Sequence, residues 1–432
     1  MSTSGRQEPV SLKTALLAGP APDGGLYIPA QLPPLPDRIS QRQPGRTLGQ
    51  VAWEVAHHLL GSDLSLEELQ SMVELSLDFP IPLVQVEDGL WALELFHGPT
   101  LAFKDVGARF MARLVSYFLD PGTDLTILVA TSGDTGSAVA QAFNGCPGIK
   151  VVVLFPHGQV SELQQRQFTT LGGNVEAVAV HGSFDDCQRM VQQALADEKL
   201  RRDIPLASAN SINIGRLLPQ IFYYFHAVDQ LPSRAGRPVF AVPSGNFGNL
   251  TAGLMARHLG LSCGRFVAAT NTNDVVPVYL KTGRLRPQPS RSTLSSAMDV
   301  GNPSNVRRIR SLYGDSLEAL RRDLTASSHT DQETRETIHD VHRRSGYLLD
   351  PHSAVAYGGL TGYLATQPSP RPAGILLATA HPAKFAPLME EITGRPVPLP
   401  RRLAACLGRP QRILRMAARY DELKGFLAGS SL

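Results

Sequence analysis

The sequence predicts an α/β fold in which a largely parallel sheet is flanked by helices on both faces. Short apolar runs alternate with helical patterns along most of the chain, and this alternation is typical of parallel sheets. Two of the runs lead directly into glycine-rich loops that open helices, at residues 131–137 (TSGDTGS) and 244–249 (SGNFGN). The composition, 43% hydrophobic and 18% charged over 432 residues, allows a globular protein with a large core.

The first 95 residues precede this alternation, and we predict that they form an N-terminal cap. A short helical stretch at 11–18 leads to a turn and strand at 23–29, and a proline-rich loop follows. Helical patterns then cover residues 48–60 and 65–75, the second opened by a capping box between Ser65 and Glu68. A hairpin over 83–86 and 90–96 ends the cap.

The alternating part of the chain starts at residue 125. A long helix is expected over residues 214–228, and residues 401–432 are expected to form a C-terminal helical segment packed on the core. Predicted strands lie at residues 125–130, 150–155, 175–180, 239–242, 265–270 and 375–378.

Charge, hydropathy and cysteine spacing exclude several classes of protein. The net charge of +3 is too small and too evenly spread for a nucleic-acid surface. No apolar run is long enough to span a bilayer, and residues 1–19 are too polar for a signal-peptide core, so we expect a cytoplasmic protein. The four cysteines are far apart, and neither they nor the twelve histidines show a metal-ligand spacing, so no metal site is predicted.

One lysine, Lys104, lies where an amphipathic helix begins. Apolar residues recur at helical spacing from Phe103 to Phe118, so the helix starts close to this lysine. A helix N-terminus and partial burial both lower the pKa of an amine, and a neutral amine can form a Schiff base. A solvated surface lysine beside Asp105 is the alternative that this stretch alone leaves open.

The two glycine-rich loops are candidate anion sites, because ligands of open α/β sheets collect at the carboxyl ends of the strands. In the SGNFGN loop the glycines allow successive N–H groups to point at one phosphate, and the following helix adds its positive end. The TSGDTGS loop offers hydroxyls to a second anion, and Arg216 offers a guanidinium. Tight turns, helix caps and a surface arginine are the alternatives for these features.

Taken together and in this order, the motifs resemble the threonine synthase family, whose members are pyridoxal-phosphate enzymes of the tryptophan-synthase-β-like fold. The resemblance runs almost end to end, and as a set the motifs are highly specific. It rests on the two loops together with residues 23–27 (DGGLY), 97–105 (HGPTLAFKD) and 380–385 (AHPAKF).

The resemblance implies a fold-type II pyridoxal-phosphate enzyme with two open, mostly parallel sheets. It implies a cofactor-binding core over residues 96–400, with a small inserted lobe at about 105–210 and a large lobe made by the remainder. The implied reaction converts O-phospho-L-homoserine and water to L-threonine and phosphate, in a monomer or homodimer.

The resemblance also implies site residues. Lys104 carries pyridoxal 5'-phosphate as a Schiff base and acts as the general base, and Thr379 bonds the pyridine nitrogen. The cofactor phosphate is held by Gly245, Asn246, Phe247, Gly248 and Asn249. The substrate phosphate is held by Ser132, Thr135, Asn210 and Arg216.

Asp134 is also placed at the cofactor, where some branches of the family carry an asparagine that bonds the phenolic oxygen. An ionised Asp134 cannot donate that bond. Two other functions remain open at this point. One is a phospho-lyase on the same fold that gives 2-oxobutyrate, phosphate and ammonia, and the other is a non-catalytic relative that binds a phosphorylated amino acid.

Overall fold

The structure is a computed structural model that describes residues 1–233 and 236–429. Its strands form a six-stranded sheet in the order β1-β2-β10-β7-β8-β9 and a five-stranded sheet in the order β11-β5-β4-β3-β6. Pairing is parallel throughout, except for the antiparallel hairpin of β1 and β2. The strands are β1 (Leu83–Glu87), β2 (Leu90–Glu94), β3 (Leu125–Ala130), β4 (Ile149–Pro156), β5 (Val175–His181), β6 (Leu206–Ser208), β7 (Val239–Pro243), β8 (Phe266–Thr270), β9 (Leu324–Ser328), β10 (Gly374–Ala378) and β11 (Leu414–Ala417).

Helices precede, connect and follow these strands. In chain order they are α1 (Leu12–Ala18), α2 (Asp37–Ser40), α3 (Leu48–Leu60), α4 (Leu66–Ser76), α5 (Lys104–Phe118), α6 (Asp134–Phe143), α7 (Glu162–Thr169), α8 (Phe184–Ala196), α9 (Glu198–Asp203), α10 (Ile214–Leu217), α11 (Phe222–Gln230), α12 (Gly248–His258), α13 (Val275–Thr282), α14 (Val306–Leu312), α15 (Leu317–Asp323), α16 (Asp331–Ser345), α17 (Pro351–Ala365), α18 (Ala386–Thr393), α19 (Arg401–Leu407) and α20 (Tyr420–Leu427).

The chain divides into two compact units. The large unit contains Pro29–Phe103 and Leu217–Pro398, with the six-stranded sheet, and the small unit contains Met1–Ile28, Lys104–Arg216 and the chain from Leu399 onward, with the five-stranded sheet. The first 28 residues of the predicted N-terminal cap thus belong to the small unit, and the rest of that cap belongs to the large unit.

The central strands form because their residues are apolar on both faces. Strand β3 is buried at all six positions and β7 at all five, as expected for parallel strands covered by helices on both sides. In the large unit the core lies between the sheet and α16, α17 and α18, and in the small unit α8 and α20 cover one side of the sheet. This packing confirms the predicted α/β architecture with two mostly parallel sheets.

Two predicted helices are interrupted in the structure. The single helix expected over residues 214–228 is α10, a 3₁₀ turn over Leu218–Ile221 and α11, because Pro219 lacks the N–H that a continuous helix requires. The expected C-terminal helical segment contains β11, which pairs in parallel with β5 and extends the five-stranded sheet. Strands β6 and β9 were also absent from the prediction, since both are short or only partly buried.

All four cysteines are free thiols. In the described part of the chain, no helix combines the length and the apolar character needed to cross a membrane.

Candidate active site

Two neighbouring strands of the large unit bring the SGNFGN loop and Thr379 to the same edge of the sheet. Strands β7 and β10 pair in parallel, so their carboxyl ends point the same way. The SGNFGN loop continues directly from β7, and Thr379 is the first residue after β10. Thr379 is buried, and a parallel sheet binds ligands at this edge.

The lysine stretch is joined to the same edge by backbone hydrogen bonds. The Phe103 N–H donates to the Thr379 carbonyl at 2.9 Å, and Ala102 forms an antiparallel bridge with Ala380. Lys104 is the next residue, is half-buried and begins α5, as the sequence predicted. The backbone therefore fixes Phe103, the residue that precedes Lys104, beside Thr379.

The turn before Lys104 has a rare backbone conformation. Leu101 has a φ of 58°, in the left-handed region that branched or bulky residues rarely adopt. The buried Lys384 ammonium donates to the Thr100 carbonyl at 2.8 Å, and the His381 N–H donates to the Leu101 carbonyl at 3.1 Å. Residues of the AHPAKF motif therefore hold the turn in place from outside it.

The SGNFGN loop has the features of a phosphate-binding turn. Phe247, with a φ of 61° and a ψ of 12°, lies in the left-handed region and precedes the first residue of α12, Gly248. Among the described residues no side chain caps this helix N-terminus, so its backbone N–H groups stay available to a ligand. The residues present therefore fit the phosphate of pyridoxal phosphate.

The backbone of Ala297 and Met298, which we call the wall, lies directly behind the loop. A Cβ on Gly245 would lie 2.6 Å from the Met298 Cα and 2.8 Å from the Ala297 oxygen, so only glycine fits. The Ala297 N–H donates to His352 Nε2 at 3.2 Å, and His352 Nδ1 lies 2.6 Å from an Asp350 carboxylate oxygen. Because the ring has one donor and one acceptor in this arrangement, His352 is the neutral tautomer with its proton on Nδ1.

Asn246 is held by a second segment beside the loop. Its side-chain oxygen accepts from the Ser304 N–H at 2.6 Å and from the Ser304 hydroxyl at 2.9 Å. The Asn305 amide donates to the Asn246 backbone carbonyl at 3.0 Å. The SGNFGN loop is thus positioned by groups that come from other parts of the large unit.

In the small unit, the TSGDTGS loop follows β3 and is organised by its own side chains. The Thr131 hydroxyl oxygen accepts from the Gly133 N–H at 2.9 Å and from the Gly136 N–H at 2.8 Å. The hydroxyls of Ser132 and Thr135, both half-buried, have no hydrogen-bond partner in the described part of the chain. They are available to a ligand.

Asp134 begins α6 and is buried, with its carboxylate near the positive end of that helix. The Gln164 amide donates to an Asp134 oxygen at 2.8 Å. In this contact Asp134 is an acceptor.

Asn210 and Arg216 lie beyond the end of β6, which pairs in parallel with β3, so Asn210 shares an edge with the TSGDTGS loop. The Asn210 carboxamide pairs with both backbone groups of Ala130, at 2.7 and 3.1 Å, and this uses its oxygen and part of its donor capacity. The buried Arg216 donates to the Ala209 carbonyl at 2.6 Å. Burial lowers the pKa of Arg216 to about 10 and Asp105 raises it, so the guanidinium remains charged at neutral pH.

Several residues that position the loops were not found from the sequence. Gln164 and His352 lie far from the loops in sequence. In the sequence, each looks like an ordinary helix residue. Asp350 did have one, since an aspartate before a proline is typical of a helix N-cap, and it caps α17. Their contacts exist only once the chain is folded.

Comparisons with known proteins agree with this geometry. The family model "Threonine synthase N terminus" matches residues 1–77, "Pyridoxal-phosphate dependent enzyme" matches 77–377, and "Threonine synthase, C-terminal" matches 353–427. The threonine synthase of Haemophilus influenzae is 46% identical over 398 residues, which are 92% of this chain and 92% of that protein.

Solved structures extend the similarity to the fold. The crystal structure of threonine synthase from Escherichia coli matches with a TM-score of 0.90 and 42% identity, over 99% of this chain and 98% of that one. The structure of threonine synthase from Brucella melitensis with bound pyridoxal phosphate matches with a TM-score of 0.90 and 34% identity, over 99% and 98% of the two chains.

These findings confirm the predicted fold-type II architecture, the cofactor pyridoxal 5'-phosphate, and an enzyme that makes threonine from a small-molecule substrate. The chain belongs to the threonine synthase family of pyridoxal-phosphate-dependent lyases.

Proposed function

We propose that the substrate is O-phospho-L-homoserine, that Lys104 is the catalytic residue, and that the two glycine-rich loops serve different phosphates. The observation that carries the proposal is the 2.9 Å hydrogen bond from the Phe103 N–H to the Thr379 carbonyl. It fixes Phe103, the residue that precedes Lys104, at the sheet edge where β7 opens into the SGNFGN loop. A lysine amine, a hydroxyl and a phosphate-binding turn are what pyridoxal phosphate requires of a protein.

In this proposal the large unit holds the cofactor. The Thr379 hydroxyl bonds the ring nitrogen, and as a neutral partner it does not require the ring nitrogen to stay protonated. Asp134 of the small unit is proposed to contribute a carboxylate oxygen that accepts a hydrogen bond. The contact with the Gln164 amide sets the orientation of this carboxylate. The cofactor phosphate is held by the SGNFGN loop, through Gly245, Asn246, Phe247, Gly248 and Asn249.

When bound, the cofactor supplies an electron sink that acidifies carbon-bound protons of the substrate. The protein's part is then to move those protons. We assign this to the Lys104 Nζ, which takes protons from the α and β carbons and later returns protons to the γ and α carbons. Water adds at the β carbon after phosphate has left the γ carbon.

The departing phosphate needs its own positive site, and we assign it to the small unit. Arg216 supplies the charge, and Ser132 and Thr135 supply hydroxyls that have no other partner in the described chain. Asn210 retains one amide hydrogen for the same purpose. A substrate without phosphate would forgo the charge-assisted contact with the buried guanidinium, which makes this site a source of specificity.

The test of function is product analysis with O-phospho-L-homoserine and the purified, cofactor-loaded protein. We expect threonine and phosphate in equal amounts, and no product from Lys104→Ala, which should also lose the visible absorbance of lysine-bound cofactor. Mainly 2-oxobutyrate and ammonia would assign the phospho-lyase reaction instead. Wild-type protein without that absorbance band would contradict the role of Lys104.

The proposed substrate site is tested separately with Arg216→Ala. We expect KM for the phosphorylated substrate to rise about 100-fold, as for a lost charge-assisted contact, while affinity for pyridoxal phosphate stays within about twofold. Loss of the cofactor would instead assign Arg216 to the other anion site.

We also propose a cytoplasmic location, supported by four free cysteines, which suit a reducing compartment. Cell fractionation tests this, and light scattering tests the prediction of a monomer or homodimer.

A further inference from the structure

Asn249 ends the SGNFGN loop, and its carboxamide is held in one orientation. Its Oδ1 lies 2.6 Å from the Tyr223 hydroxyl and 2.7 Å from the Tyr224 hydroxyl. The Tyr224 hydroxyl also lies 2.9 Å from the Asn249 backbone carbonyl. The Asn249 Nδ2, by contrast, is buried and has no hydrogen-bond partner anywhere in the described chain. A buried amide donor left without a partner is rare and needs a physical reason.

Both tyrosine hydroxyls face the Oδ1 end of the carboxamide. Both are fully buried on α11, and burial raises the pKa of Tyr223 and of Tyr224 well above the usual value. Their hydroxyls therefore keep their protons and can donate. Because the carboxamide has an acceptor end and a donor end, donors at Oδ1 leave Nδ2 directed elsewhere.

A glycine in the middle of α12 makes this arrangement possible. Gly253 lies one turn after Asn249, and a Cβ there would come within 2.7 Å of the Tyr224 Cζ and 2.6 Å of the Phe266 Cε1. Glycine is unfavourable inside a helix compared with alanine. Its presence at this position gives the Tyr224 ring the space to reach Asn249.

We propose that Tyr223 and Tyr224 are positioning residues that orient the Asn249 carboxamide so that its Nδ2 donates to the cofactor phosphate. The inference rests on the proposed role of the SGNFGN loop as the cofactor phosphate site. The tyrosines do not touch the cofactor in this account. They act through Asn249, because a carboxamide without them could rotate and present its oxygen to an anion.

The test is a double-mutant cycle on the affinity for pyridoxal phosphate, measured by equilibrium dialysis of the full-length holoenzyme. The proteins are wild type, Asn249→Ala, the double variant Tyr223→Phe with Tyr224→Phe, and the triple variant. We expect Kd to rise about 10- to 100-fold for Asn249→Ala and about tenfold for the double variant. The triple variant should bind no more weakly than Asn249→Ala, since the tyrosines then have nothing to orient.

The control is Tyr357→Phe in the same unit, whose hydroxyl contacts Glu87 and Arg344 at 2.9 and 3.1 Å. It removes a hydroxyl of the same kind and should leave Kd unchanged. Thermal unfolding of each variant identifies any that does not fold, and the single variant Tyr223→Phe then replaces the double one in the cycle.

The outcomes separate this inference from the proposed function. If the tyrosine variants weaken binding equally with and without Asn249, or not at all, the positioning role is overturned while the phosphate site stands. If Asn249→Ala and Gly245→Ala both bind the cofactor like wild type, the phosphate site itself is wrong and the inference falls with it.

Discussion

The two glycine-rich loops begin in the same way and are supported in opposite ways. Each follows a buried parallel strand and opens a helix. The TSGDTGS loop satisfies its own N–H groups, since Thr131 accepts from two of them. The SGNFGN loop leaves its helix N-terminus without a side-chain cap and is held from outside by Asn305, Ser304 and the wall at residues 297–298.

This difference matches what we propose each loop binds. A loop that keeps its N–H groups for a phosphate cannot also use them for its own stability, so other segments must hold its shape. Such a site suits a cofactor that stays bound. A loop that caps itself is stable without a ligand and presents only side-chain hydroxyls, which suits a substrate that must leave.

The largest expected effect comes from Gly245→Ala, which pushes the SGNFGN loop away from its wall. The new methyl group would meet backbone atoms of Met298 and Ala297, and backbone cannot move aside as a side chain can. Overpacking of this kind costs about 1–3 kcal/mol, so we expect Kd for pyridoxal phosphate to rise up to about 100-fold. Equilibrium dialysis measures it.

Gly362→Ala is the matched control for that variant. It lies in α17 of the same unit, and a Cβ there would meet nothing within 4 Å. It should leave cofactor affinity unchanged and slightly stabilise the helix. If Gly245→Ala unfolds more easily but binds the cofactor normally, the external support of the loop has no part in phosphate binding.

A smaller effect is expected from Thr131→Val, which removes the internal cap of the TSGDTGS loop. The N–H groups of Gly133 and Gly136 lose their acceptor, and a lost hydrogen bond costs about 1 kcal/mol. We expect KM for O-phospho-L-homoserine to rise about five- to tenfold in steady-state kinetics, while cofactor Kd stays unchanged.

Thr126→Val provides the comparison for this change. It alters the same kind of side chain within β3, the strand that leads into the loop, and should change neither constant. A Thr131→Val enzyme that loses cofactor instead of substrate affinity would remove the distinction between the two loops.

The sequence was sufficient for the features that depend on local pattern. The start of α5 at Lys104, the strands before both loops and the glycine requirement at the SGNFGN loop all follow from spacing and residue type. The roles of Ser132, Asp134, Thr135, Asn210 and Arg216 rested on resemblance, and they stay predictions.

What the sequence could not supply are contacts between distant segments. The wall behind Gly245 joins residues 297–298 to His352, more than 50 positions along the chain. Two tyrosines in an apolar helix look like core residues, and their contact with Asn249 becomes visible only in the folded chain. For the same reason Asn210 was predicted as a ligand group, although most of its carboxamide bonds the backbone of Ala130.

A third effect concerns Asp299, which anchors the wall by accepting from the Thr293 N–H at 3.0 Å and from the Asn271 amide at 2.9 Å. Burial raises the pKa of Asp299 to about 6 from an ordinary 3.8. Between these values the folded protein holds a proton that the unfolded chain has released, so this group's contribution to stability falls as pH rises from about 4 to about 6.

Asp299→Asn removes that titration, and the slope of stability against pH is therefore the quantity to compare. Carboxyls with a lowered pKa, such as Asp186 and Glu333, give the opposite slope of stability against pH. They do so in both proteins, so their contributions cancel when the two slopes are subtracted. From pH 4 to pH 6.5, the free energy of unfolding of the wild type should fall by about 1–2 kcal/mol relative to that of the variant, allowing for solvent screening of a partly exposed carboxyl. Denaturant unfolding at the two pH values measures this difference. If the curves of stability against pH are parallel for the two proteins, the Asp299 carboxyl is not buried. The wall behind the SGNFGN loop is then held by His352 and packing alone.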